Sequence, residues 1–501
     1  MVEAKAVVGV VTFTDPRDTG LATEREAYLH AKHQSLTKFL RGSQIRVIDP
    51  MSKLRKGWTE KDMFGLRTKG EVEEAARVLK TGGAECLILG CWHWTEPMLP
   101  IMLVRELDLP VLLYAEHNPA WAGSTCLSST GASFWENAAN DNMLRHQRLQ
   151  GRPEKVLPWV RGVSAASKLA RGSLLLWGAS YCLRMEHLQD DLPRLKSFMV
   201  GEFLMEEQHA LVRRAEKIME QGKRIERMVS WLRKLGCRIE FDNRMLTQES
   251  LRREVALYLA AKDDLADKMA GGEAIMGASI RCQPELSVDY GVTPCLIPAL
   301  IPYPEDCEGP KPTVPVVCEG DVKGLVTCAL LHQMNPKSPP LFGDLKYVDD
   351  NLMIISNCGA ASIYYSGLSR RACDCLPDVW IKGQVQGASG GAVGFYSKPS
   401  DVTVARLVRI DGEYWMQFGR GHIVRITDEI RDKIVWGKMW PNTPIQISAP
   451  RDLLISAVGS NHYSASPGDL TGEIEAFCRF HSISKVRLDS ETELQAFVDN
   501  L

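Results

Sequence analysis

Two carboxylates and one imidazole in this sequence each follow an apolar run, and together they could bind a divalent metal ion. Glu319 follows residues 314–318, Asp344 closes a second apolar stretch, and His462 comes after a third, residues 453–458. Hard oxygen ligands with one nitrogen suit Mn²⁺ or Mg²⁺, and the sequence offers no thiolate set that calls for zinc. The alternative is that all three are ordinary polar residues at strand ends, where loops begin.

If the three residues share an ion, each has a definite chemical use. Two carboxylates beside one cation can differ in basicity, which is what an acid/base pair needs, and this assigns Glu319 and Asp344 to proton transfer as well as to metal binding. His462 would bind as a neutral imidazole whose other nitrogen needs a partner. Asn461, its neighbour, could contact substrate hydroxyls. His332, within a helical run, is interpreted as structural.

The elements that must position these residues begin with an alternation of strands and helices. Over the first 150 or so residues, β-branched and apolar runs alternate with segments of helical spacing. The predicted strands are 6–14, 44–48, 85–89 and 110–115, and the predicted helices are 24–40, 71–80 and 98–107. Such an order predicts a doubly wound parallel sheet with its functional loops at the carboxyl ends of the strands. Arg17, Trp92 and His117 fall on those loops.

The remaining sequence predicts two further domains. A second α/β domain is expected over residues 161–335, after a first domain of residues 1–160, and it ends with the segment of Glu319. Residues 336–501 are rich in short strands, and Asp411-Gly412 is a strong signal for a two-residue hairpin. The predicted fold class is therefore α/β, with two doubly wound N-terminal domains followed by a mainly antiparallel β domain.

Several strings resemble those of the L-fucose isomerase and arabinose isomerase family. They are Val-Cys-Glu-Gly-Asp around Glu319, Phe-Gly-Asp at Asp344, Gly-Ser-Asn-His at His462, Thr-Asp-Pro-Arg at Arg17 and Gly-Cys-Trp at Trp92. The turn Asn-Cys-Gly, residues 357–359, agrees as well. The matching strings are short and are separated by unrelated stretches. The resemblance implies a fucose isomerase-like fold in which Glu319, Asp344 and His462 bind Mn²⁺, with Mg²⁺ or Co²⁺ as other candidate ions.

The resemblance also implies a set of substrate contacts. A guanidinium and an aromatic plane suit a sugar's hydroxyls and its C–H face, and the family supplies both from a neighbouring subunit, here as Arg17 and Trp92. Gln283 stands where the family has a substrate-contacting Gln, and Asn461 joins this set. A homo-oligomer, a hexamer by resemblance, is therefore expected. His93 and Trp94 depart from the family's string, and a family tyrosine that contacts substrate has no clear counterpart.

The function predicted on this basis is aldose–ketose isomerisation of an open-chain sugar, such as L-fucose, D-arabinose or a related aldose, through an enediolate. One alternative is a sugar-binding protein that keeps the fold without turnover, since fold does not fix function. Another is an enzyme that uses the same enediolate chemistry on a modified sugar. The sequence does not reveal the sugar's configuration.

Composition excludes other classes of function. The 501 residues carry a net charge of −2, and no basic block of the kind that neutralises phosphates stands out, so nucleic acid is not an expected partner. No apolar run approaches the ~20 residues of a membrane span, and the start lacks a signal-peptide pattern, so a cytoplasmic location without a membrane partner is expected. The 14 cysteines include no Cys-x-x-Cys pair and are expected to be reduced.

Overall fold

The computed structural model describes residues 6–17 and 22–501. Their contacts form two compact units. The first unit comprises residues 6–168 and 472–482, and the second comprises residues 169–471 and 483–501. The second predicted domain and the C-terminal β region thus share one unit, while the predicted boundary at residue 335 stays a prediction.

The first unit is built on a five-stranded parallel sheet. Its strands are β1 (Val7–Thr12), β2 (Arg46–Ile48), β3 (Cys86–Gly90), β4 (Val111–Ala115) and β5 (Gln147–Gln150), in the order β2-β1-β3-β4-β5. Its helices are α1 (Ala22–Gly42), α2 (Pro50–Leu54), α3 (Lys69–Gly82), α4 (Met98–Leu107), α5 (Gly123–Asn137), α6 (Asp141–Leu144) and α7 (Val156–Leu169). Strands β1, β3 and β4 are buried throughout, as expected where helices cover both faces of a parallel sheet.

The second unit begins with a four-stranded parallel sheet in the order β12-β9-β6-β7, which we call the central sheet. The strands up to this point are β6 (Ser173–Trp177), β7 (Glu202–Glu206), β8 (Arg238–Glu240), β9 (Ile275–Ile280), β10 (Glu305–Asp306), β11 (Gly309–Pro310) and β12 (Val316–Cys318). The helices are α8 (Leu192–Lys196), α9 (Gln208–Gln221), α10 (Lys223–Lys234), α11 (Gln248–Ala270), α12 (Leu296–Leu300) and α13 (Val322–Met334).

The C-terminal region forms a closed, mainly antiparallel sheet. Its strands run in the order β17-β20-β13-β14-β19-β18, β18 pairs again with β17, and β21 adds to β18 in parallel. The strands are β13 (Leu341–Asp349), β14 (Leu352–Ser356), β15 (Trp380–Gly383), β16 (Gly391–Gly394), β17 (Ser400–Ile410), β18 (Glu413–Ile423), β19 (Asn442–Gln446), β20 (His462–Pro467) and β21 (Ser484–Arg487). The helices are α14 (Tyr364–Gly367), α15 (Ala372–Cys375), α16 (Asp428–Lys433), α17 (Arg451–Ala457), α18 (Thr471–His481) and α19 (Glu491–Val498). The short strands β15 and β16 pair with β8 in a separate sheet. Parallel sheets followed by this closed sheet confirm the predicted fold class.

Local signals in the C-terminal region differ in how well they predict structure. Asp411-Gly412 joins β17 to β18 with positive φ at both residues, as its sequence predicts. The apolar run 453–458, however, is not a strand that ends near His462. It belongs to α17, where Leu454 and Ala457 are buried at helical spacing. A short apolar run fits a buried strand or a buried helix equally well, so its periodicity could not decide between them.

Among the helices of residues 6–17 and 22–501, none combines the length and the apolar character that crossing a bilayer requires.

Candidate active site

Glu319 lies in the loop that follows the buried strand β12, and its backbone has a left-handed conformation with φ 63°. Gly320 follows with φ 65°, and its carbonyl accepts a 2.7 Å hydrogen bond from the N–H of Tyr181. A Cβ at position 320 would come within 2.6 Å of that nitrogen, so only glycine fits there. A left-handed residue other than glycine costs about 1–2 kcal/mol, and such strain persists where the surroundings fix the backbone. The loop therefore holds Glu319 in a defined position.

Asp344 and His462 are direct neighbours on two antiparallel strands. The pairing of β13 with β20 places the two residues opposite each other. Nε2 of His462 lies 3.5 Å from Oδ1 of Asp344 and 3.1 Å from Oε2 of Glu319. The structure thus brings all three predicted metal ligands together. We call Glu319, Asp344 and His462 the triad.

A buried ion pair behind the triad orients the imidazole. Nδ1 of His462 lies 2.8 Å from Oδ2 of Asp321, a residue that the sequence did not single out. Asp321 also accepts a 2.7 Å hydrogen bond from the N–H of Gly324 as the N-cap of α13, and it forms a two-point ion pair with Arg406 of β17. Asp321 and Arg406 are fully buried. The position of Asp321, two residues after Glu319 and at a helix start, was the only signal in the sequence.

The charges of this group set its protonation in the metal-free chain. Burial alone would raise the pKa of Asp321, but Arg406 and His462 lower it well below its usual range. Burial alone would lower the pKa of His462, yet hydrogen bonds with Asp321, Asp344 and Glu319 raise it well above its usual range. The three carboxylates around His462 therefore favour the protonated form of its imidazole.

Asn461 fixes the second carboxylate of the triad. Its amide nitrogen donates a 2.8 Å hydrogen bond to Oδ1 of Asp344. Its amide oxygen lies 2.7 Å from Nε2 of His187, which donates to it. The side chain predicted to contact substrate thus also positions Asp344.

The thiols beneath Glu319 are not candidates for metal binding as thiolates. A hydrogen bond with Cys318, together with burial, raises the pKa of Cys282 well above its usual range. The reduced state of the cysteines stays a prediction. Buried thiols of high pKa are inert, so the hard oxygen ligands of the triad remain the better metal donors.

Both polar atoms of the Gln283 side-chain amide, in the second unit, form hydrogen bonds within the protein. Its amide nitrogen donates a 2.6 Å hydrogen bond to the carbonyl of Gln386, and its amide oxygen accepts one from Ser287. Its predicted role in substrate binding stays a prediction.

The two other predicted substrate residues belong to the first unit. Trp92 is buried there, its indole N–H donates a 3.0 Å hydrogen bond to Thr12, and its ring packs edge-on against Tyr114. Trp92 therefore does not expose the ring face that its substrate role requires, and this role stays a prediction. Arg17 is exposed, forms a two-point ion pair with Asp15, and lies with its guanidinium 4.6 Å from the ring centre of Trp94.

The triad fits a divalent ion in the chemistry of its donors. Two carboxylates and an imidazole whose other nitrogen is held by a carboxylate form a common ligand set. Ligands at right angles around an ion with bonds of about 2.1 Å lie about 3 Å apart, which is close to the 3.1 and 3.5 Å measured from His462. Across residues 6–17 and 22–501, however, no three acidic, His or Cys side chains form a ready metal cage. An ion would have to replace the hydrogen bonds within the triad.

Comparison with known proteins supports a family for this chain. Residues 355–487, about a quarter of the chain, match the family model of the L-fucose isomerase C-terminal domain. The matched segment includes Arg406, Asn461 and His462, but not Glu319 or Asp344. No curated protein sequence gave a significant match. Over this segment the chain is similar to the L-fucose isomerase C-terminal domain, and its parallel sheets before a closed antiparallel sheet match a fucose isomerase-like layout.

Proposed function

We propose that this protein is an aldose–ketose isomerase that acts on an open-chain sugar and depends on Mn²⁺, or on Mg²⁺ or Co²⁺ in its place. The observation that carries the proposal is the convergence of Glu319 and Asp344 on Nε2 of His462. When bound, a divalent cation would supply the positive charge that stabilises an enediolate. The triad would hold that cation.

The chain's own residues support the steps of such a reaction. Asp321 keeps a proton on Nδ1 of His462, which leaves Nε2 available as a ligand once the imidazole is neutral. Glu319 and Asp344 are the two carboxyl groups between which protons would move. One of them takes the proton from C2 of the aldose, while the other serves the oxygens and C1. In sum, C2 loses a proton and C1 gains one, and O2 loses its hydroxyl proton while O1 gains one.

The two carboxylates differ in their surroundings, as an acid/base pair requires. The side chain of Glu319 is 13% exposed, while that of Asp344 is 35% exposed and is tied to Asn461. The two carboxylates thus present different surroundings to one substrate.

The assembly belongs to the proposal as well. By family resemblance, the first unit of a neighbouring subunit supplies Arg17 and an aromatic residue to the substrate, which implies a homo-oligomer, with a hexamer as the expected size. The predicted aromatic residue is Trp92, and Trp94, whose ring lies beside the Arg17 guanidinium, is a second candidate for this contact.

A sugar-binding protein without turnover is the second candidate. The observation that favours it is that the triad is closed by hydrogen bonds and forms no ready metal cage in the described chain. Such a binder would bind sugars and release them unchanged.

The experiment that decides between the two functions is a panel of aldoses assayed for ketose formation with Mn²⁺ present. An isomerase converts at least one aldose, and the Glu319→Gln variant converts none. Tight binding of an aldose with no ketose from any member of the panel would favour the binder and contradict the isomerase.

A further inference from the structure

A cavity of about 570 Å³ opens at the carboxyl edge of the central sheet. Its walls come from the loops after three strands: Gly178 and Ala179 follow β6, Glu207 and Gln208 follow β7, and Arg281 follows β9. The strand order β12-β9-β6-β7 reverses direction between β6 and β9. In open α/β sheets, ligands bind in the crevice outside the carboxyl ends of the strands at such a reversal. Neither the triad nor its supporting ion pair lines this cavity.

One ion pair in the cavity wall leaves two polar atoms unsatisfied. Nη2 of Arg281 lies 2.8 Å from Oε1 of Glu285. Nε of Arg281 and Oε2 of Glu285 are buried and have no hydrogen-bond partner. Leaving such a group unpaired costs about 1–3 kcal/mol, and more when it is charged. Both residues line the cavity, and their side chains are 29% and 39% exposed, so parts of this ion pair reach the cavity wall.

These two atoms define the chemistry of a ligand. Nε of Arg281 needs an acceptor, and Oε2 of Glu285 needs a donor. A hydroxyl group provides both, and adjacent hydroxyls can bridge the two side chains. The cavity therefore suits a molecule that carries several hydroxyl groups.

The rest of the wall adds an apolar surface. Tyr290, Leu286 and Val212 line the cavity. The guanidinium of Arg253 lies 4.3 Å from the ring centre of Tyr290 and fixes that ring from one side. An apolar or aromatic wall with a few convergent polar groups is the usual make-up of a small-molecule site, and it suits the C–H face of a sugar.

The charge of the cavity disfavours an anionic ligand. Three carboxylates, those of Glu206, Glu207 and Glu285, line it, against the cationic Arg281 and the imidazole of His209. Lys268, 2.9 Å from Glu206, offsets one of the carboxylates. A phosphate or carboxylate ligand would meet this acidic excess, whereas a neutral ligand would not.

We propose that this cavity is a second small-molecule site, which binds a neutral polyol or sugar through hydroxyl groups that bridge Arg281 and Glu285. The proposal does not depend on the isomerase function, because its ligand needs no metal ion. Gln283, the predicted substrate residue, lies between Arg281 and Glu285 in sequence, but it donates to Gln386 and does not line the cavity.

The test uses glucitol, a six-carbon polyol without a carbonyl group, and the metal-free full-length chain. A parent carrying Glu319→Gln and Asp344→Asn removes the two carboxylates of the triad. Calorimetry and saturation-transfer NMR then measure glucitol binding to this parent and to versions that also carry Arg281→Met or Glu285→Gln. The matched control is Glu216→Gln on α9, an exposed residue whose ion pair is with Arg213. Glucitol 6-phosphate is the anionic probe.

We expect glucitol to bind the parent and the control equally, and to bind the Arg281→Met and Glu285→Gln versions at least tenfold more weakly. Glucitol 6-phosphate should bind the parent at least tenfold more weakly than glucitol does. Glutamine has nearly the shape of glutamate, so the Glu285→Gln version should keep the fold. Its glucitol binding therefore tests the proposal even if the Arg281→Met version unfolds. No binding to the parent, unchanged binding to Glu285→Gln, or tighter binding of the phosphate would overturn the proposal.

Discussion

His462 and Asp321 are joined by a 2.8 Å hydrogen bond between Nδ1 and Oδ2, and both side chains are almost completely buried. Asp321 in turn is paired with the fully buried Arg406. The ligand nitrogen Nε2 therefore belongs to an imidazole held by the carboxylate of Asp321. That carboxylate is in turn held by the guanidinium of Arg406 on β17, 85 residues further along the chain. The predictions about the triad follow from this arrangement.

Breaking the buried pair should be costly from either side. Replacing Asp321 with Asn leaves the Arg406 charge unpaired in the interior, and we expect a loss of about 3–5 kcal/mol in the free energy of unfolding. Arg406→Met should cost a similar amount, because it leaves the Asp321 carboxylate with only His462 as a charged partner. Denaturant unfolding of the metal-free chain measures both.

The double variant Asp321→Asn, Arg406→Met provides the control. The double variant should lose much less free energy of unfolding than the sum of the two single losses, because it leaves neither charge of the pair buried without its partner. Additive losses would show that the two side chains stabilise the chain independently and would contradict the role given to the pair.

Glu254 should make stability depend on pH. It is fully buried, and burial raises its pKa to about 8, although the N–H groups of Gly391 and Leu296 donate to its carboxylate. The unfolded chain has an ordinary glutamate pKa of about 4.3 and so loses this proton first as the pH rises. The folded state then binds more protons than the unfolded state, and stability falls between about pH 4.3 and pH 8.

The Glu254→Gln variant isolates this effect. It should be more stable than the parent at pH 8, by up to a few kcal/mol, and should lose that advantage as the pH falls toward 5. Thermal unfolding of both chains at a series of pH values gives the difference. A difference that stays constant with pH would contradict the raised pKa.

The two tryptophans of the first unit's β3 loop should respond differently to truncation. Trp92 is buried, so Trp92→Ala should cost about 3–5 kcal/mol by leaving a cavity. Trp94 is only partly buried, so Trp94→Ala should cost much less. Denaturant unfolding compares them, and equal losses would contradict the placement of Trp92 in the core.

Features set by neighbouring residues could be predicted from the sequence, whereas contacts between distant segments could not. The Asp411-Gly412 turn follows from the conformations those two residues allow, so it was predicted correctly. Glu319 and Asp344 were singled out by their places after apolar runs, and the family resemblance then joined them with His462, a contact that no single segment contains. Asp321 was missed because its partners lie on β17 and β20, far along the chain.

The burial of Trp92 shows the same limit in the first unit. Its predicted contact with a sugar needs an accessible ring. In the structure the ring is buried, and the indole N–H donates to the hydroxyl of Thr12 on the neighbouring strand. The contact depends on the pairing of β1 with β3, which the loop's own sequence does not encode.

A mixing experiment tests the proposed sharing of sites between subunits. The first-unit variant in this mixture should be stable, and Trp92→Ala is expected to be destabilised. A substitution of the exposed Arg17 is therefore used instead. We expect Arg17→Gln and Glu319→Gln chains to be inactive alone and to recover part of the activity when mixed, because some interfaces then join two intact contributions. If labelled subunits exchange and activity stays absent, the shared site is contradicted.

The most direct test of the central claim is the metal dependence of ketose formation by the chelated protein. We predict that removal of divalent ions abolishes conversion of an active aldose, that Mn²⁺ restores it better than Zn²⁺, and that Glu319→Gln, with its fold intact, is not restored by either ion. Full activity in a metal-free preparation, or near-normal turnover by Glu319→Gln, would contradict the account.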